Sequence, residues 1–219
     1  MIEKTTSHIE ETIRRIEQSG VISILRGDFS IDRILRIAET LVANGISILE
    51  ITMNSAGALE AIGCLQREFR PPDLLVGAGT VRTLQQFDLA LEAGAAFTVA
   101  PSLDRKTVEQ ATRLDVMHLP GVMTPTEVEE AVRAGSQMVK LFPADLLGPD
   151  YLKTVRAPLD DVKFVPTGGI SSGNLANFVG AGARAVGVGG SLISGPNQPT
   201  AEIRARARAL RQAWDRANA

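Results

Sequence analysis

From one end to the other the chain alternates short apolar runs with amphipathic helical stretches, and this alternation narrows the fold more than any other feature. Eight apolar runs of strand length recur, at 21–25, 47–52, 74–77, 97–100, 117–120, 138–142, 163–166 and 185–188. Runs of this kind suit strands covered on both faces, as in a parallel sheet. The helices between them carry start signals. Thr83 with Gln86 and Thr124 with Glu127 have the spacing of a capping box, and Pro125 and Pro149 suit a first helical turn. Ahead of the first strand, Ser7 with Glu10 opens an additional helix with Ile9, Ile13 and Ile16 on one face. Stop signals recur as well: Asn44-Gly45, Ala93-Gly94, Ala134-Gly135 and Ala181-Gly182 each precede an apolar run, where glycine suits a left-handed C-cap. Eight strand–helix units fill 219 residues with no linker or low-complexity segment. The expected fold is therefore α/β, a single (β/α)8 TIM barrel over residues 1–219, with residues 1–20 as an extra N-terminal helix capping the barrel. A doubly wound open sheet would leave two units without a place.

Charge and cysteine usage remove several function classes. The formal net charge is -2, with no footprint for nucleic acid. The one basic stretch, Arg204 to Arg211, lies on a helix whose apolar stripe is Ile203, Ala207, Leu210 and Trp214, so its arginines read as a solvated face. Cys64 is the only cysteine, which rules out an intramolecular disulfide and a cysteine-based metal site; among Ala61, Ile62 and Leu65 it reads as a small core residue. The histidines are His8, in the extra helix, and His118, within the fifth strand, which reads as a satisfied core histidine and not a catalyst. No metal or cofactor is expected. The polar, acidic N-terminus is neither a signal nor a transit peptide, and no apolar run approaches the ~20 residues that span a bilayer. A cytoplasmic protein without membrane contact is expected.

In such a barrel the chemistry collects at the C-terminal ends of the strands. Two charges there are out of place. Lys140 interrupts the run Met138-Val139-Lys140-Leu141-Phe142. Desolvation favours a neutral, nucleophilic amine, so Lys140 is a candidate Schiff-base lysine, set against a strand-edge lysine that snorkels to water. Glu50 shares a face with Ile48 and Thr52, and Lys140 shares one with Met138 and Phe142, so both can point into the barrel. A structural Glu–Lys or Glu–Arg pair is the competing explanation, although burying such a pair rarely gains stability over apolar packing. Thr167-Gly168-Gly169 and Gly189-Gly190-Ser191 follow the seventh and eighth strands, where such barrels often bind phosphate through converging backbone N–H groups. Ser171 or Ser172 opens the next helix there, whose positive end adds to the attraction. Arg26 ends the first strand and suits a carboxylate or phosphate, or else a salt bridge at the rim.

The segments Ile48 to Thr52, Val76 to Thr80, Pro120 to Glu127, Val139 to Ala144 and Val165 to Ile170 resemble, in order, those of the 2-keto-3-deoxy-6-phosphogluconate (KDPG) and 4-hydroxy-2-oxoglutarate (KHG) aldolases. That resemblance implies a metal-independent class I aldolase on a (β/α)8 barrel, usually a homotrimer, that cleaves a phosphorylated keto-deoxy sugar acid to pyruvate and glyceraldehyde 3-phosphate. It implies Lys140 as the Schiff-base residue and Glu50 as general acid/base. It places Thr80, Pro101 and Phe142 at the pyruvate end, and Thr167, Gly168, Gly169, Gly189, Gly190 and Ser191 around the phosphorylated aldehyde. One position departs from part of the family. Asn54 stands where some members carry an arginine for the substrate carboxylate, and Arg26 could supply that charge instead. A Leu-Arg-Gly start with Asn54 also resembles the branch acting on 2-keto-3-deoxy-6-phosphogalactonate, whereas Thr167 points to the gluconate substrate. A phosphosugar isomerase or epimerase, or a non-catalytic phosphosugar-binding protein, would share the glycine loops without needing Lys140 as a nucleophile.

Overall fold

The computed structural model describes residues 6–70 and 72–219. The first five residues of the expected N-terminal segment therefore lie outside the described residues. Strands β1 (Val21–Leu25), β2 (Ile48–Thr52), β3 (Leu75–Gly79), β4 (Phe97–Val99), β5 (Met117–Leu119), β6 (Gly121–Val122), β7 (Met138–Leu141), β8 (Lys163–Pro166) and β9 (Val186–Val188) alternate with helices to give an α/β fold around a curled parallel sheet. Among the described residues all strand pairings are parallel. Six strands form one sheet in the order β5-β4-β3-β2-β1-β9, and β6-β7-β8 form a second.

The fifth strand differs from its expected extent. The run at 117–120 continues to Val122 but is cut at Pro120, which has no N–H to give to a ladder. Its carbonyl still accepts from the Lys140 N–H at 2.9 Å. The chain thus leaves one sheet and enters the other at this proline. On the far side a parallel bridge joins Thr167 to Gly187, and the Arg184 N–H donates to the Phe164 carbonyl at 2.9 Å. β3 also reaches two residues beyond its expected end, to Gly79.

Alternation along the strands separates two cores. Ile22, Ile48, Leu75, Phe97, Met117, Leu119, Met138 and Val165 pack together inside the curled sheet. Helix α1 (His8–Ser19) adds Ile9, Ile13 and Ile16 to this inner cluster. Ser7 and Glu10 form the expected capping box, and Asp115 accepts from the backbone N–H groups of His8 and Ile9 at 2.8 and 3.3 Å, which docks the start of the helix. The other strand faces pack outward against helices, including α9 (Thr200–Ala217), where Ile203, Ala207, Leu210 and Trp214 are buried as the stripe predicts. The four glycines expected after helices, Gly45, Gly94, Gly135 and Gly182, all have positive φ. Thr124 and Glu127 form a full capping box. Thr83 caps its helix, but the Gln86 side chain accepts from Arg82 instead. Pro149 takes a first helical turn, as expected: within α7 (Ala144–Arg156) Gly148, at φ 76° and ψ 167°, breaks the helix and Pro149 begins the second piece. Cys64 is half-buried rather than a core residue.

His118 is buried on the outward face of β5. Its Nδ1 lies 2.7 Å from the Thr98 hydroxyl, its Nε2 has no hydrogen-bond partner among the described residues, and the Phe87 ring meets it edge-on. Burial lowers its pKa from 6.5 to about 4, with Asp104 acting weakly the other way. The unfolded chain therefore binds a proton that the folded chain refuses between these values, so stability present above pH 6.5 is lost as pH falls towards about 4. The loss from this group is expected to be about 3 kcal/mol. Denaturant titrations at pH 7 and pH 4 check it, because His118→Phe should flatten the pH dependence. An equally steep slope in the variant would contradict the assignment.

Candidate functional site

The site grows from two strands whose inward faces carry charge. On β2, Ile48 belongs to the inner core, so Glu50, two residues on, points the same way; it is 2% exposed. On β7, Met138 does the same for Lys140, which is 5% exposed. The space the Glu50 side chain occupies exists because β3 carries a glycine, Gly79, beside it, in register with Thr52. A Cβ on Gly79 would sit 1.7 Å from Oε1 of Glu50 and 2.3 Å from its Cδ. Beside Lys140, the Phe142 ring centroid lies 5.1 Å from Nζ, and the Phe142–Pro143 peptide is cis.

Burial sets the protonation of both groups. It pushes the Glu50 carboxyl up, opposed by the charges of Lys140 and Arg26. It pulls the Lys140 ammonium down, opposed by Glu50 and assisted by Arg26. Both shifts favour the uncharged forms, an amine that can attack a carbonyl and an acid that can give up a proton.

A cavity of about 300 Å³ opens over Lys140, within the range of small-molecule sites. It is lined by Arg26, Lys140, Phe142, Thr167 and the two glycine pairs, Gly168-Gly169 and Gly189-Gly190. Positive φ values of 103° and 66° at Gly168 and Gly169 form the first loop, and a Cβ on Gly169 would meet Asp145 at 2.4 Å. Asn174 closes this loop, accepting from the Ser171 N–H at 2.8 Å and donating to the Gly169 carbonyl at 2.9 Å. The helix expected to open at Ser171 or Ser172 starts only at Leu175, because this turn comes first.

Several of the sequence-derived residues lie elsewhere. Asn54 is exposed and does not line the cavity. Thr80 is half-buried at the end of β3 with φ 56°, a left-handed conformation that costs a β-branched residue about 1–3 kcal/mol. Pro101 packs against β6, where a Cβ on Gly121 would meet its carbonyl at 2.3 Å. The Ser191 hydroxyl donates to the Ile170 carbonyl and so ties the two glycine loops together. Three lining residues were not anticipated: Ile24, Ile193 and Ser194. Ile24 was readable, since it shares a strand face with Ile22. Ile193 and Ser194 follow a turn and carry no periodic signal.

Arg26 reaches this cavity from a loop that is held in place. The hydroxyl of Ser55 accepts from the Gly27 N–H at 3.0 Å and lies 2.8 Å from the buried Thr52 hydroxyl. Asp28 accepts from the Ala56 N–H at 3.1 Å. The loops after β1 and β2 are thereby fastened to one another, with Arg26 on the cavity side and Asn54 on the solvent side.

Comparison with known proteins gives a consistent result. The model of the KDPG and KHG aldolase family matches residues 9–205. The chain is 39% identical over 179 residues to the 2-dehydro-3-deoxy-phosphogluconate aldolase of Pseudomonas aeruginosa, covering 81% of this chain and 79% of that one. It superposes on a native KDPGal structure with a TM-score of 0.85 at 29% identity, covering 90% of this chain and 95% of the other. A KDPG aldolase from Legionella pneumophila, with pyruvate captured at low pH as a covalent carbinolamine intermediate, matches with a TM-score of 0.78 at 30% identity, covering 92% and 95%.

Proposed function

The chain belongs to the KDPG and KHG aldolase family, and we propose that it is a class I aldolase that cleaves 2-keto-3-deoxy-6-phosphogluconate to pyruvate and glyceraldehyde 3-phosphate. The observation that carries this reading is Lys140, a buried amine opening onto a cavity with a cation on one side and two glycine loops on another. In the proposed reaction the Lys140 amine adds to C2 of the keto acid. Glu50 protonates the carbinol oxygen, water leaves, and an iminium remains. The Glu50 carboxylate then takes the C4 hydroxyl proton. C3–C4 breaks, the aldehyde departs, and the bonding electrons pass into the iminium to give an enamine. Proton return at C3 and hydrolysis release pyruvate and restore the amine. Arg26 faces the substrate carboxylate, with Thr80, Pro101 and Phe142 shaping the pyruvate end and Asn54 at its outer edge. Backbone N–H groups around Gly168, Gly169, Gly189 and Gly190 take the phosphate, with Thr167 near the C4 hydroxyl and Ser191 holding the loops together.

The same reading makes the two parallel sheets one closed (β/α)8 barrel in a single domain. The continuity of β5 with β6 through Pro120 and the links between β8 and β9 support it. A homotrimer acting in the cytoplasm is proposed from the family resemblance; Leu146, 79% exposed, and Met123, 45% exposed, offer apolar surface for an interface. Incubation with pyruvate and borohydride, followed by peptide mass mapping, tests the mechanism. A reduced adduct on Lys140 is expected, and none there, with phosphosugar still bound, would overturn it. A second reading, the galactonate epimer as substrate, is favoured by Arg26 lining the cavity while Asn54 faces solvent. Turnover of the two C4 epimers side by side decides between them.

A further inference from the structure

The connection between β9 and α9 supplies Gly189, Gly190, Ile193 and Ser194 to the cavity. Its shape depends on a side chain that does not line the cavity. Gln198 is 7% exposed, and both ends of its amide are engaged by this connection. Its Oε1 accepts from the Ser194 N–H at 2.7 Å, and its Nε2 donates to the Leu192 carbonyl at 3.1 Å. The Leu192 and Ile193 N–H groups both donate to the Gly189 carbonyl at 2.9 Å. The turn is thus closed by its own backbone near Gly189 and by the Gln198 amide farther along. The segment bearing Gln198 is anchored in turn. Arg33, on helix α2 (Ile31–Val42), donates to the Pro196 carbonyl at 3.1 Å, to the Thr200 hydroxyl at 2.8 Å and to the Gln198 carbonyl.

Backbone N–H groups bind an anion well only if they are already aimed at it, because ordering a glycine turn on binding costs conformational entropy. We propose that Gln198, backed by Arg33, is a positioning residue that holds the Gly189–Ser194 turn in the geometry that accepts the substrate phosphate. It sets affinity for the phosphorylated end without touching substrate. The inference rests on the aldolase reading and adds a determinant of substrate class to it.

Two reactions of the same protein separate this role from a general structural one. Cleavage of the phosphorylated keto acid uses both ends of the site, whereas solvent-deuterium exchange into the methyl group of pyruvate uses only the Lys140 end. Gln198→Ala is expected to raise KM for the phosphorylated keto acid about tenfold, as loss of two loop-shaping hydrogen bonds implies. kcat should change by less than about twofold, the pattern for an interaction made equally in ground and transition states. The inhibition constant for inorganic phosphate should rise in step with KM, and pyruvate exchange should stay at the wild-type rate. Gln198→Met, which fills the same space without hydrogen bonds, and Arg33→Ala should show the same split, so the test survives if the alanine variant fails to fold. An unchanged KM in a folded variant, or exchange reduced as much as cleavage, would overturn the proposal. A wild-type protein that neither exchanges nor cleaves would remove the aldolase reading, and this role with it.

Discussion

Replacing Lys140 with methionine is expected to abolish aldol cleavage while making the protein harder to unfold. Lys140 is 5% exposed, and burial already pulls its pKa down, so the folded state bears the cost of holding a polar group beside the Phe142 ring. Methionine fills a similar volume without that cost. Loss of the nucleophile should lower kcat on the order of 10⁴-fold or more, as removing a covalent catalyst does elsewhere. The thermal midpoint should rise, the usual sign that a residue is kept for chemistry and not for stability. Phosphosugar binding should persist, because the glycine loops and Arg26 are untouched. Steady-state rates with a melting curve decide the matter. Residual turnover near the wild-type level would refute the covalent role, and a collapse of the melting temperature would show Lys140 to be structural.

The parts of this site that depend on strand alternation were readable in the sequence. Glu50 and Lys140 share faces with Ile48 and Met138, and those neighbours do point into the inner core. What escaped the sequence depends on contacts between distant segments. Gly79 reads as one more residue of a glycine-rich strand end, and its value as empty space appears only when Glu50 is placed against it. Pro120 looks like the end of a strand because proline cannot donate, yet its carbonyl still pairs with β7 and the chain runs on. Ser191 reads as a ligand beside a glycine pair, but its hydroxyl is turned to the Ile170 carbonyl across the loops. The puzzle of Asn54 was also tertiary. Ser55 and Asp28 fasten two loops together, and that fastening puts Arg26 on the cavity side.

Glu50→Gln is expected to lower kcat about 10²- to 10⁴-fold, because an amide of the same shape cannot exchange protons with the carbinol oxygen or the C4 hydroxyl. The sign of its effect on Lys140 follows from the charges. The Glu50 charge raises the lysine pKa, so removing it should make the amine neutral at lower pH. The rate of Lys140 modification by an amine-selective reagent should therefore rise at a lower pH in the variant than in the wild type. An unchanged pH profile would show that the two groups do not sense one another. Gly79→Ala reaches the same carboxylate without altering its chemistry. A methyl group 1.7 Å from Oε1 cannot be accommodated, so Glu50 must swing away while β7 and Lys140 stay in place. Turnover should fall towards that of Glu50→Gln, and the pyruvate adduct should still form on Lys140 after long incubation with borohydride. If Gly79→Ala keeps full turnover, the carboxylate works from some other position, and the general acid/base role of Glu50 loses its geometric basis.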